Sequence, residues 1–149
     1  RITMDYPTRE AVLVLAQRML GQDSPEAVLA LGRVNPVIGD RELDTLRQCL
    51  QKITIRPELM DYLVDIIRTT RTHGSVHVGA GPRATQALLL SGRAHAAMAG
   101  RDFMIPDDIK TMAVPVLEHR IVLRPEFEIE GHTVPEVIQQ ILREVAVPR

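Results

Sequence analysis

The stretch Gly79-Ala80-Gly81-Pro82-Arg83-Ala84-Thr85-Gln86-Ala87-Leu88-Leu89-Leu90 sets two glycines and a proline directly ahead of a strongly helical run. Proline suits the first helical position, where its missing N–H would have had no partner, and Gly81 stands where a cap is needed. The punctuation therefore predicts a helix from Pro82 to Gly100, the next glycine able to end it. Arg83 falls in its first turn, where free backbone N–H groups already make the local potential positive. A cation there works against the helix unless an anion comes to it.

The same punctuation recurs on both sides. Thr8 caps a helix from Arg9 to Leu20 with Val12, Leu15, Ala16 and Met19 on one face, and Ser24-Pro25-Glu26 opens a short second one. Arg41 to Lys52 places Leu43, Leu46 and Leu50 at helical spacing, and Ile53-Thr54-Ile55 reads as briefly extended. Pro57 opens a helix to Arg71 with Leu59, Leu63, Ile66 and Ile67 inward and Asp61, Asp65 and Arg68 outward. The glycine- and histidine-rich segment from Thr72 to Gly81 reads as a loop.

In the helix that follows, Ala84, Ala87, Leu88, Ser91, Ala94 and Met98 form a small inward face that lets a neighbour approach closely. Pro106-Asp107-Asp108 begins another helix, in which Pro115 is expected to cause a kink or a break. Phe127-Glu128-Ile129-Glu130 alternates like a short strand. Thr133 and Glu136 form a capping box ahead of a last helix carrying Val137, Ile138, Ile141, Leu142 and Val145. The fold class is all-α, a helical bundle, with a short extended segment at residues 1–6 and another at Phe127-Glu130.

Composition narrows the function classes. The 149 residues are 45% apolar and 25% charged, enough for one ordinary core. Eighteen Lys and Arg against nineteen Asp and Glu leave a net charge of -1, so nothing in the overall balance favours nucleic acid or an acidic membrane. No apolar run has the length of a membrane span, and the single cysteine, Cys49, suits a reducing cytoplasm, the expected location. The chain opens at Arg1 without an initiator methionine and is expected to be a piece of a longer protein.

Few residues carry chemistry. Pro82 and Gly81 would hold Arg83 at the start of a rigid helix with its fork of donors free for a phosphate, although a solvated surface arginine is the simpler reading of the pattern alone. His73 and His77 are four apart, but the glycines around them argue against the helix a metal site would need. His95 reads as a hydrogen-bonded core or boundary histidine, and His119, Arg120 and Arg124 as a solvated basic helix end. Asp107 and Asp108 read as capping residues. The sequence contains no phosphate-cradling GxxxxGK[ST] loop, nucleophile elbow or zinc signature. The chain alone is not expected to be a catalyst.

Five stretches taken in order carry a resemblance over nearly the whole chain. They are Asp5-Tyr6-Pro7-Thr8-Arg9-Glu10, Leu59 through Arg71, Gly79-Ala80-Gly81-Pro82-Arg83-Ala84, Gly100 through Lys110, and Pro115 through Leu123. Together they resemble the C-terminal part of MoxR-type AAA+ ATPases. The resemblance implies that residues 1–7 are the last strand and linker of an ATPase core and that residues 8–149 are the helical lid that closes over ATP. The phosphate loop, metal-binding acidic motif, first sensor and arginine finger would precede Arg1, so ATP and Mg belong to the parent protein and none is expected on this piece alone.

The family's Gly-Ala-Ser-Pro-Arg-Ala motif aligns with Gly79 to Ala84, which puts its second-sensor arginine, the reader of the γ-phosphate, on Arg83. Gly81 departs from the pattern, standing where serine is usual. The resemblance further implies a hexameric ring of such ATPases, acting as a remodelling chaperone beside von Willebrand A-domain proteins and client complexes. A helical interaction or DNA-binding module is the alternative, but the helix from Pro82 carries only Arg83 and Arg93 as cations, so packing is its better use and neither nucleic acid nor membrane is an expected partner.

Overall fold

The computed structural model describes residues 4–20 and 23–148. Its elements are α1 (Arg9–Leu20), α2 (Pro25–Ala30), α3 (Asp40–Gln51), α4 (Pro57–Thr72), β1 (Val76–Val78), α5 (Pro82–Met98), α6 (Pro106–Leu117), β2 (Val122–Leu123), α7 (Pro125–Ile129) and α8 (Val134–Glu144). The chain divides into two compact units between Leu46 and Arg47, inside α3.

In the first unit the caps form as the sequence predicts. The Ala11 N–H donates to Thr8 Oγ at 3.3 Å and the Ala27 N–H to Ser24 Oγ at 3.2 Å. The expected inward face does not form: Val12, Leu15 and Met19 are 48%, 53% and 54% exposed, and no described residue up to Leu46 is buried. A six-residue α2 offers too little apolar surface to cover a twelve-residue α1. The strand expected near the N-terminus lies partly outside the described residues, and Met4 to Tyr6 are irregular, since an extended segment becomes a strand only when a neighbour takes its backbone hydrogen bonds.

The second unit, Arg47–Arg149, holds the core. Leu59, Tyr62, Leu63, Ile66 and Ile67 line the buried stripe of α4, while Asp61, Asp65 and Arg68 face outward. Val137, Ile138, Ile141 and Leu142 bury the matching stripe of α8. At the start of α8, the Thr133 N–H and hydroxyl both donate to Glu136 Oε2 at 2.8 Å, which holds that carboxyl below its usual range. Thr54 bridges the chain near Phe103, its N–H donating to the Asp102 carbonyl and its carbonyl accepting from the Met104 N–H, so the extended reading of this segment holds.

Four local expectations are corrected. The segment from Thr72 to Gly81 is not wholly loop, because Val76–Val78 pairs antiparallel with Val122–Leu123 through a register irregularity. Phe127-Glu130 is helical rather than extended: Pro125 sets a helical first turn, and Ile129 is 86% exposed, so alternation over four residues marked no buried face. The turn ends at Gly131, with φ of +87°, where the His132 N–H donates to the Phe127 carbonyl.

Pro115 does not break α6. Its φ is helix-compatible, and the carbonyl deprived of a donor belongs to Thr111, an exposed residue. On α5 the buried line is Ala84, Leu88, Gly92 and Ala96, while Ser91 and Ala94 are half-buried and Met98 is 89% exposed. Packing follows the four-residue ridge through Gly92, where an added Cβ would lie 2.9 Å from Met104 Sδ.

Candidate functional site

The start of α5 is built from the end of α4. Thr70, fully buried, donates its hydroxyl to the Ile67 carbonyl at 2.7 Å and accepts the Ala80 N–H at 2.9 Å. Next to it, Arg71 donates Nε to the Ala80 carbonyl at 2.8 Å. Both backbone groups of Ala80 are thus taken by two consecutive side chains of α4. Gly79 permits this approach, since a Cβ there would meet the Thr70 carbonyl oxygen at 2.6 Å and Arg71 Cα at 2.7 Å.

From that anchor the chain turns into the helix. Gly81 is the N-cap in extended conformation, Pro82 is the first helical residue, and the Ala84 N–H donates to the Gly81 carbonyl at 2.9 Å. Arg83 is exposed, with no hydrogen bond or ion pair among the described residues. It is a positive fork at the positive end of a helix, and the structure gives it no carboxylate.

The space around Gly81 is open, with nothing within 4 Å of an added Cβ. A serine would therefore fit and supply the side-chain acceptor that the cap lacks. Gly81→Ser is expected to raise stability by about 0.3 kcal/mol, read as a small rise in thermal midpoint. A fall would show that the backbone at this cap cannot accept a side chain.

The other polar cluster joins α5 to α6. Asp108, 1% exposed, accepts from Arg101 Nη1 at 2.8 Å and Nη2 at 2.6 Å, from the Ile105 N–H at 2.8 Å, and from His95 Nδ1 at 2.7 Å. Because a carboxylate only accepts, His95 carries its proton on Nδ1. Burial alone would push this carboxyl up, but the Arg101 bonds, the Ile105 N–H, His95 and the Arg101 charge outweigh it and hold the pKa to about 2. With both oxygens engaged, Asp108 is a structural tie and no free base.

The remaining candidates are dispersed. His73 accepts the Ser75 N–H at Nδ1, 3.3 Å away, and so turns a protonated Nε2 toward Glu144, 3.5 Å off, while His77 is exposed on β1. Asp107 is exposed and pairs with Lys110 at 3.2 Å. Arg120 and Arg124 donate Nε to the carbonyls of Val116 and Val76. Arg93 is half-buried, its Nε buried, so α5 does not present a basic face of the kind a groove-reading helix uses. Among the described residues no helix is long and apolar enough to cross a membrane, and no three His, Cys, Asp or Glu side chains are grouped to hold a metal.

The sequence pointed to Arg83, Gly81 and Pro82, and the structure sets all three at one helix start. It did not point to Thr70, Arg71 and Gly79 behind them, or to the Arg101–Asp108–His95 cluster. The available signal was the pair Thr70-Arg71 at the end of an amphipathic helix, followed within one short loop by consecutive small residues.

Residues 68–141 match the family described as AAA lid domain. The uncharacterised protein YeaC of Bacillus subtilis is 35% identical over 115 residues, covering 77% of this chain and 36% of its own length. Chaperone MoxR1 of Mycobacterium tuberculosis is 27% identical along 100% of the chain and 40% of its own. The crystal structure of a candidate ATPase from Cytophaga hutchinsonii has a TM-score of 0.76 at 26% identity, covering 98% of this chain and 45% of that one. The chain spans less than half the length of each of these three proteins.

Proposed function

Because the chain belongs to the AAA lid family and forms the C-terminal lid region of a MoxR-type AAA+ ATPase, we propose that it closes over ATP held on the ATPase core and that Arg83 reads the γ-phosphate. The observation that carries this reading is the unpaired, exposed Arg83 in the first turn of α5, fixed by Pro82 and capped by Gly81. A guanidinium so placed fits a terminal phosphate. Its planar fork matches two phosphate oxygens, and free N–H groups at the helix start add to the pull on an anion.

The residues of this chain bind and orient. Arg83 donates parallel N–H bonds to the phosphate and offsets charge that builds during transfer, while the apolar line of α5 keeps the arginine on a rigid helix. ATP with Mg supplies the phosphoryl group to be transferred; no residue described here is assigned to the metal. Loss of the terminal phosphate removes the partner of Arg83 and lets the lid relax, which is how hydrolysis becomes motion. In a ring of such subunits that motion remodels client protein complexes, consistent with a relative named as a chaperone.

The test is ATP turnover by the chain joined to its ATPase core, with Arg83→Ala and Arg83→Lys beside the native protein and nucleotide affinity measured in parallel. Arg83→Ala is expected to lower turnover about 10- to 100-fold with the fold intact, and Lys, which lacks the fork, to recover only part of it. Unchanged turnover and affinity would reduce Arg83 to a solvated surface residue.

A further inference from the structure

We propose that Thr70 and Arg71 are positioning residues for Arg83, gripping the backbone of Ala80 so that the start of α5 is aimed from α4; this rests on the reading of Arg83 above. The loop between the two helices, residues 73–81, contains a three-residue strand and three glycines, a composition that does not fix the entry angle of a helix by itself. The structure fixes it at one point. The Ala80 N–H goes to the Thr70 hydroxyl and the Ala80 carbonyl to the Arg71 guanidinium, at 2.9 Å and 2.8 Å.

The grip is specific in its parts. Thr70 is fully buried, and its hydroxyl is itself aimed by donating to the Ile67 carbonyl inside α4, so the oxygen that receives the Ala80 N–H is not free to rotate. Arg71 spends Nε on the Ala80 carbonyl, which leaves its side chain lying against Gly79, where an added Cβ would come within 2.8 Å of Arg71 Cγ. Ala80 is buried and Gly81, Pro82 and Arg83 follow it directly. Three peptide bonds, along a chain whose φ is locked at Pro82, separate the held residue from the arginine, so a shift at Ala80 is passed on to Arg83. Losing either side chain frees one end of the peptide at Ala80 and lets the guanidinium move by the ångström or so that matters for charge stabilisation.

The experiment uses the full-length ATPase and has two readouts. The first, without nucleotide, is amide hydrogen exchange. In Arg71→Ala and in Thr70→Val, the Ala80 and Ala84 amides are expected to exchange about tenfold faster, while Leu63 and Ile66 in the middle of α4 keep native rates. The second is a cycle of turnover measurements. Arg71→Ala is expected to lower kcat about tenfold with nucleotide affinity within about twofold, and Arg71→Lys to regain most of it.

The double variant Arg71→Ala with Arg83→Ala should be no slower than Arg83→Ala alone, because a residue that acts only through Arg83 has nothing left to act on. Thr70→Val, which keeps volume and loses only the hydroxyl, runs the same cycle should Arg71→Ala not fold. Native exchange at Ala80, native kcat in the single variants beside a slow Arg83→Ala, or additive losses in the double variant would each overturn this assignment. Native turnover in Arg83→Ala would instead overturn the reading of Arg83 itself.

Discussion

Replacing Asp108 with alanine is expected to remove about 3–5 kcal/mol of stability, most of what a domain of this size has to spare. The loss comes less from the missing carboxylate than from what it leaves behind. The Arg101 guanidinium, the Ile105 N–H and the His95 Nδ1–H would all lose their acceptor at one point between α5 and α6. Asp108→Asn keeps the shape and one acceptor oxygen and should fall between native and Asp108→Ala in urea denaturation. If Asp108→Ala melts within about 1 kcal/mol of native, the cluster is not the tie described here.

The same residue predicts an acid transition. Its carboxyl is held to about 2 against an ordinary 3.8. A group depressed in this way stabilises the folded state wherever it is ionised, above about pH 4, and that contribution drains away as pH falls through about 2. The shift corresponds to roughly 2 kcal/mol. The native chain should therefore lose stability between about pH 4 and pH 2, and Asp108→Asn, with nothing to titrate at that position, should lose correspondingly less over the same range.

The second large effect is expected at Gly79. Alanine there places a Cβ 2.6 Å from the Thr70 carbonyl oxygen and 2.7 Å from Arg71 Cα, both backbone atoms of a helix that cannot rotate out of the way. Either the α4 end or the Ala80 peptide must move, at a cost of about 3 kcal/mol. Gly81→Ala, two residues on, is the internal control, because its Cβ would meet nothing within 4 Å and it should stay within about 0.5 kcal/mol of native. Equal losses in the two variants would mean that glycine matters here for unfolded-chain entropy and not for close approach.

What was legible from sequence was whatever is encoded by neighbours along the chain. The stripe Leu59, Leu63, Ile66 and Ile67 and its counterpart Val137, Ile138, Ile141 and Leu142 on α8 repeat at helical spacing and are buried as read, whereas Val145, expected with them, falls just past the helix end in extended conformation and is half-buried. Pro57, Pro82 and Pro106 each mark a helix start, because a residue without an N–H is cheapest there. Arg83 could be located for the same reason, by its distance from Pro82.

What was not legible depends on partners far away in sequence. Val76–Val78 becomes a strand only because Val122–Leu123 lies beside it, and nothing near His77 announces that. The reverse error at Phe127-Glu130 has the same root, since four alternating residues specify a strand only when a sheet is there to receive them. Asp108 looked like a first-turn carboxylate. Its burial against Arg101 and His95 is set by the packing of α6 on α5.

The tie between Thr70 and Ala80 also turns the segment between them into a closed circuit. A loop pinned at both ends can change its contour without moving what lies beyond the pins, and its closure entropy grows only slowly, by about 0.6 kcal/mol for each doubling of length. Gly74, exposed and with open space around its Cα, is where the circuit can lengthen. The distance from α4 to the arginine along the chain is thus uncoupled from their distance in space, and the segment ahead of β1 is free to vary in length while the helix start stays put.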